Sequence, residues 1–228
     1  MASSGDVIND ADEAYRIVID AIVTQRLAPS QKVSENILSD TFGISRTIAR
    51  NLIERLVTQQ FLINVSPRVT QVSPLTLIEI KQNFALRKML LPNVIALCAP
   101  RLDYAELIAL NSQIEDLLPV KNEASGLAIL KANRRMNIAM CEGSGYPLMS
   151  DWVRQLEDMA MRIYWLYIKI KGSFPYSSEY QRSVFDIMRA DDSALTQKAI
   201  LDMLGQTEER VLNAVFSHEQ FYTQDLKV

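Results

Sequence analysis

One segment of the sequence carries side chains that are suited to reading a nucleic acid. Residues 43–56 read GISRTIARNLIERL, so a tight Gly-Ile-Ser turn leads into a helix that Ser45 can cap. At about 100° per residue, the polar side chains of this helix share one arc of roughly 140°. They are Arg46, Thr47, Arg50, Asn51 and Glu54. Because arginine can bind guanine or phosphate and asparagine can pair with adenine, this spacing predicts a DNA-reading face.

Local charge favours the same function, although the chain as a whole is acidic. Its net charge is -3, so DNA binding requires a local basic surface. Residues 44–72 hold four arginines against one glutamate, which gives a local charge of +3. One of them, Arg68, lies beside the predicted tip of a hairpin, where a wing can contact phosphate or the minor groove. An ordinary solvated helix also carries scattered charge, but the adjoining helix and hairpin favour DNA reading.

The elements around this helix predict a winged helix-turn-helix. Apolar spacing indicates a first helix over residues 12–26, and Ser34 can cap a second helix that ends near Phe42. The third helix is the DNA-reading one and runs to about Gln59. In residues 61–74, β-forming side chains on both sides of a proline predict two short strands. We therefore predict a DNA-binding domain over residues 11–74, after an unstructured start at residues 1–10.

The rest of the chain is predicted to be helical. Glycine is scarce, with seven in all, and apolar residues recur at helical spacing. The predicted helices cover residues 75–99, 103–118, 124–142, 147–171, 177–190, 192–205 and 207–220. The fold class is therefore mainly α, with an N-terminal winged helix-turn-helix followed by an all-helical domain over residues 75–228.

Cysteine and histidine usage argues against a metal centre and against catalysis. The two cysteines, Cys98 and Cys141, form no CxxC or Cys/His cluster, and we expect both to be buried, reduced thiols. The one histidine, His218, suggests no chemistry of its own, and no P-loop, Rossmann fingerprint or nucleophile elbow is present. We predict that the protein is not an enzyme. The sequence also lacks a secretory signal and any apolar run of about 18 residues, which predicts a cytoplasmic protein with no membrane span.

The segment Leu27–Val72 resembles the DNA-binding domain of the GntR family of bacterial regulators. The positions that match the family motif are Pro29, Val33, Glu35, Leu38, Gly43, Ile44, Ser45, Arg46, Thr47 and Arg50. The resemblance implies that Arg46, Thr47 and Arg50 contact DNA. The sequence departs from the motif where Ser30, Gln60 and Val69 replace glycines, Ile48 replaces a proline and Asn51 replaces a glutamate.

The helical remainder resembles the effector domain of the FadR branch of that family, called FCD. Residues 78–97 are similar to its first helix, and Arg87 matches its usual arginine. Many FCD domains hold a metal ion with one aspartate and three histidines. The corresponding residues in this sequence are Asn133, Asn137, Tyr180 and Met203. Because amide, phenol and thioether groups bind divalent metals weakly, we expect neither a metal nor another cofactor.

These replaced positions could instead form a pocket for a small-molecule effector. Together with Arg87, the four side chains would line a polar cavity, and Arg87 or Arg134 could pair with a carboxylate on the effector. The alternative is that the amides satisfy one another in a filled core.

The features together predict a homodimeric transcription regulator that binds a double-stranded DNA operator and responds to a small molecule. By resemblance, repression is the more common outcome. Two other hypotheses stay open: a constitutive DNA-binding dimer with a filled sensor pocket, and a small-molecule binding protein with a vestigial DNA domain. The departures at Gln60 and Val69 favour the last hypothesis, while the retained Arg46, Thr47 and Arg50 argue against it.

Overall fold

The chain folds into two compact units, which a computed structural model describes over residues 10–142 and 144–217. The first unit ends at Leu75 and the second begins at Thr76. Residues 1–9 of the predicted unstructured start lie outside the described part, as do His218 and the last residues of the helix predicted over 207–220. The fold class agrees with the sequence prediction, since most described residues are helical.

The first unit is a winged helix-turn-helix with a small sheet. Its elements are α1 (Ala11–Val23), β1 (Lys32–Val33), α2 (Glu35–Phe42), α3 (Arg46–Thr58), β2 (Leu62–Ser66) and β3 (Val69–Val72). The strand order is β1-β3-β2, and both pairings are antiparallel. The predicted hairpin is confirmed as β2 and β3. Strand β1 was missed, because two residues are too few to show the alternating pattern of a strand.

Local sequence signals set the ends of the helices in this unit. Ser34 and Ser45 each accept a hydrogen bond at Oγ from a backbone N–H three residues later, which caps α2 and α3. Gly43 ends α2 at φ 65°, a left-handed conformation that favours glycine. Asp10 caps α1 by accepting from the backbone N–H of Asp12. Gly43 and Ser45 fix the turn between α2 and α3, and therefore the direction of α3 relative to α2.

The second unit is a helical bundle. Its elements are α4 (Leu77–Cys98), a short 3-10 helix (Ala99–Arg101), α5 (Tyr104–Leu117), α6 (Glu123–Glu142), α7 (Pro147–Lys171), α8 (Ser178–Arg189) and α9 (Ser193–Phe216). A capping box between Thr76 and Glu79 starts α4. Helix α4 then packs against α6, α7 and α9, which makes it the central element of the bundle.

One boundary prediction in the bundle was wrong. The sequence predicted two helices over 192–205 and 207–220, but α9 continues through Gly205 without a break. A glycine inside a helix costs only about 1 kcal/mol relative to alanine. Leu204 and Val211 are buried on either side of it, and their packing outweighs that cost.

Two residues of the first unit adopt a left-handed backbone at positions where the resembled motif has glycine. They are Ser30 and Gln60, which adopt φ of 60° and 64°. An L-residue in this left-handed region is strained, because its Cβ approaches the following carbonyl oxygen. Val69 differs from these two, since it lies in strand β3 opposite Ser66.

This strain predicts a stabilising substitution. We expect Gln60→Gly to raise the free energy of unfolding of the first unit by about 1 kcal/mol relative to Gln60→Ala, because both variants lose the side chain but only glycine loses Cβ. Urea unfolding followed by circular dichroism measures the difference. Equal stability of the two variants would show that position 60 carries no strain.

Candidate functional site

The exposed face of α3 gathers the residues that the sequence predicted for DNA reading. Arg46, Thr47, Arg50 and Asn51 are all exposed, and with Glu35 and Glu54 they line one shallow concavity of about 300 Å³. The opposite face of α3 is buried in the first unit through Ala49, Leu52 and Leu56. Packing of that apolar face therefore holds the four predicted residues out to solvent on a rigid helix.

A weak ion pair lies within this face. Arg50 Nε is 3.8 Å from Glu54 Oε1, and the two side chains are 67% and 73% exposed. An exposed pair one helical turn apart contributes only about 0–1 kcal/mol. The guanidinium of Arg50 can consequently leave Glu54 for a base or a phosphate at little cost.

The other two arginines of the basic segment differ in their surroundings. Arg55 lies 3.2 Å from Asp12 Oδ1, and its guanidinium stacks 3.8 Å from the centre of the Tyr15 ring. It is therefore held against α1 and is not part of the concavity. Arg68 is exposed in the turn between β2 and β3, which places it at the tip of the wing, as the sequence predicted.

The second unit contains a cavity of about 230 Å³. Its lining comes from five helices, α4 and α6 to α9, together with the segment 174–177 that leads into α8. All five residues predicted for an effector pocket line it: Arg87, Asn133, Asn137, Tyr180 and Met203. Arg134, the other arginine considered for a carboxylate, is not among the lining residues, because it forms an ion pair with Asp158 on α7.

A buried hydrogen-bond network forms one wall of this cavity. Arg87 on α4 donates from Nε to Glu157 Oε1 at 2.9 Å and from Nη1 to Tyr164 Oη at 2.9 Å. Asn137 on α6 donates from Nδ2 to Glu157 Oε2 at 2.7 Å. Arg87 and Glu157 are each 1% exposed. The network thus ties α4 and α6 to α7 through both oxygens of one carboxylate.

The network keeps Arg87 charged and Tyr164 neutral. Burial alone would lower the pKa of Arg87, but attraction to Glu157, supported by the two hydrogen bonds, raises it above its usual value. Burial also raises the pKa of Tyr164. The site therefore holds a charged guanidinium with a neutral phenol beside it at physiological pH.

Sequence reasoning missed Glu157. It lies on the buried stripe of α7 with Val153 and Ala160. A glutamate at such a position is rarely buried without a partner, so its place among apolar residues was the available signal. The identity of the partner was not readable, because Arg87 lies 70 residues away in sequence.

The donor set does not fit the metal that the FCD resemblance implies. In the described part of the chain, no group of three or more histidine, cysteine, aspartate or glutamate side chains could hold a metal ion. The cavity lining holds no carboxylate, and the guanidinium of Arg87 would repel a cation. Cys98 and Cys141 are buried free thiols, and burial raises the pKa of Cys98 to about 11.

Comparison with known proteins gives a family match and a set of similar folds. Residues 82–206, more than half of the chain, match the FCD domain. Escherichia coli McbR/YncC is similar with a TM-score of 0.74 and 17% identity, over 93% of this chain and 99% of that one. A candidate GntR transcriptional regulator from Rhodococcus sp. RHA1 is similar with a TM-score of 0.69 and 13% identity, over 90% and 98%.

A GntR family member from Pseudomonas syringae pv. tomato str. DC3000 is also similar, with a TM-score of 0.53 and 19% identity, over 91% of this chain and 88% of that one. At these identities the likeness shows a shared fold. No curated protein matches the sequence. Of the helices in the described part, none is long and apolar enough to cross a membrane.

The buried ion pair predicts that removing one partner destabilises the helical unit far more than removing both. Glu157→Met should lower the free energy of unfolding of the helical unit by about 3–5 kcal/mol, because it leaves Arg87 buried without a counter-charge. Adding Arg87→Met should recover most of that loss. Unfolding in urea, followed by the fluorescence of Trp152 and Trp165, measures both variants.

A surface ion pair supplies the matched control. Glu115, whose pair with Arg182 is about half exposed on both sides, should tolerate Glu115→Met within about 1 kcal/mol. If Glu157→Met is as mild as Glu115→Met, the buried pair does not hold the three helices together.

Proposed function

Since the chain belongs to the FCD-domain family of GntR-type transcription regulators, we propose that it is a sequence-specific DNA-binding regulator that responds to a small molecule in the cytoplasm. The observation that carries this proposal is the exposed face of α3. Two guanidiniums, a hydroxyl and an amide share one side of a helix whose other side is buried in the unit. A major groove requires such a set of donors and acceptors on a rigid helix.

Each of these residues has a distinct part in DNA recognition. Arg46 and Arg50 present the planar donor forks that fit guanine O6 and N7, while Asn51 can pair with adenine N6 and N7. Thr47 lies in the first turn of α3, where backbone N–H groups and the helix dipole favour a phosphate. Arg68 at the wing contacts phosphate or the minor groove. Base reading is thereby assigned to Arg46, Arg50 and Asn51, and positioning on the DNA backbone to Thr47 and Arg68.

The helical unit supplies the contacts for a homodimer. Four large apolar side chains on α4 are exposed within an arc of about 100°: Ile78, Leu86, Met89 and Leu97. An apolar helix face of this kind is typical of a protein interface. A two-fold dimer places two α3 helices on the two halves of a palindromic operator.

The cavity is the place where a small molecule acts. An effector that binds one arrangement of the dimer more tightly shifts the population towards that arrangement and so changes the affinity for DNA. By reciprocity, DNA changes the affinity for the effector by the same factor. Repression relieved by the effector is the regulatory outcome that we propose. The open volume of about 230 Å³ favours this function over a constitutive dimer with a filled pocket, and the complete reading face favours it over a vestigial DNA domain.

The DNA-reading proposal is tested by selecting genomic fragments on the purified protein at about 0.15 M salt. Fluorescence anisotropy on the enriched sequence then compares variants. We expect Arg50→Ala to weaken binding by about 1–3 kcal/mol and to relax preference at one base pair, because it removes a direct base contact. Arg55→Ala removes the same charge from α3 but on the side held by Asp12, and should change affinity much less.

Two outcomes would contradict the proposal. Equal weakening by the Arg50 and Arg55 variants would mean that only total charge matters. If the wild-type protein enriches no sequence, with or without a metabolite extract, α3 does not read DNA as we propose.

The dimer proposal predicts a charge-sensitive surface. Met89 is 71% exposed in the single chain, so Met89→Asp should leave the unit folded but weaken self-association by tenfold or more, which sedimentation velocity measures. Leu148→Asp puts the same charge at another exposed apolar residue, on α7, and should leave the dimer intact. Dissociation by the Leu148 variant alone would place the interface on α7.

A further inference from the structure

The charged side chains that line the cavity are all cationic. No aspartate or glutamate belongs to the lining, which holds two arginines, Arg87 and Arg210. Glu157 already balances the charge of Arg87 from behind the cavity wall. Arg210 on α9 is exposed and forms no ion pair with any residue in the described part of the chain. Within the described residues, the cavity therefore carries one positive charge without an ion-pair partner at its solvent-exposed edge.

One buried amide in the lining has an N–H group without a hydrogen-bond partner within the described residues, and a second amide lies in the same lining. Gln181 on α8 is 3% exposed, and its Nε2 has no acceptor in the described part of the chain. Asn133 on α6 lines the same cavity and is 8% exposed. A buried N–H donor without an acceptor costs free energy. Both side chains can donate to a molecule that brings acceptor oxygens into the cavity.

The rest of the lining is suited to a small apolar group. Phe174, Met203 and Leu204 line the same cavity. The ring of Phe174 is held by an edge-to-face contact with Tyr164 at 5.5 Å between ring centres. The volume is below the usual range of about 300–1,000 Å³ for drug-sized ligands. A compact molecule with one apolar end and one acceptor-rich end matches these groups.

We infer that this cavity binds a small carboxylate directly, without a metal ion, through Arg210 and the amides of Gln181 and Asn133. The residues at the family's metal positions are poor ligands for a divalent ion, and the cationic lining opposes one. Recognition has moved from metal coordination to charge-assisted hydrogen bonds, which fit a carboxylate well. Arg210 lies beyond the part of the chain that matches the FCD domain, which ends at residue 206. The inference names the ligand class of the sensor in the proposed function and rests on that function in this respect.

The test uses the full chain in EDTA and two carboxylate probes, benzoate and hexanoate, with their neutral amides benzamide and hexanamide as size-matched controls. Isothermal titration calorimetry measures the dissociation constants. We expect at least one carboxylate to bind at least about tenfold more tightly than its amide, and its dissociation constant to be the same when the titration is repeated without EDTA.

Two variants and one control test the parts of Arg210 and Gln181 in this binding. Arg210→Gln should weaken carboxylate binding by about tenfold or more. Lys198→Gln removes the same charge from an exposed position of α9 outside the lining, and should leave binding unchanged. Gln181→Met removes the buried donor at similar volume, so it should weaken binding while the melting temperature without probe stays equal or rises. A purely structural role for Gln181 would instead lower that melting temperature.

The inference is overturned if the acids bind no better than their amides, if they bind only after Zn²⁺ or Mn²⁺ is added, or if neither acid binds under any of these conditions. Anisotropy on the selected DNA with the same preparation separates this failure from failure of the proposed function. Retained DNA binding with no carboxylate binding rejects the inference alone. Carboxylate binding without sequence-specific DNA binding rejects the proposed regulator and leaves the ligand site.

Discussion

The buried ion pair between Arg87 and Glu157 is the interaction on which the helical unit depends. It places two charges out of water, and that is tolerable only because both are fully engaged: Glu157 by Arg87 and Asn137, and Arg87 by Glu157 and Tyr164. The same bonds fix three helices relative to one another. They also orient the Asn137 amide, because its Nδ2 donates to Glu157. Because Arg87 is already paired with Glu157, the positive charge that pairs with a carboxylate ligand in our inference comes from Arg210.

Local signals in the sequence were sufficient for most of the fold, and not for the chemistry of the cavity. The serine caps and Gly43 act on neighbouring residues, so α2 and α3 could be predicted from short motifs. The cavity residues Asn133 and Tyr180 were reached only through a family resemblance. Gln181 and Arg210 were missed, because their role depends on which helices face one cavity, and that is set by packing between residues far apart in sequence.

The chain keeps the geometry of its family while changing the side chains that occupy it. Ser30 and Gln60 hold the left-handed backbone that glycine would adopt freely, so the turns persist at a cost in stability. Asn133, Asn137, Tyr180 and Met203 all line one cavity although none is a good metal ligand. In both cases the packing of the surrounding elements determines the conformation, and the individual residue determines only stability or chemistry.

In the DNA-reading role that we propose for α3, the exposed pair between Arg50 and Glu54 has a kinetic consequence for the search of a genome. Binding to arbitrary DNA depends on attraction to phosphates, and a glutamate beside the reading arginine weakens that attraction at every site. At the correct site, Arg50 can also donate to guanine O6 and N7. This contact offsets part of the binding free energy that the weaker attraction to phosphate costs. Under this proposal, Glu54 shortens the time spent on irrelevant sequence and widens the difference in affinity between the operator and other DNA. Most of a genome consists of such competing sites, so this difference determines whether the operator is occupied in the cell.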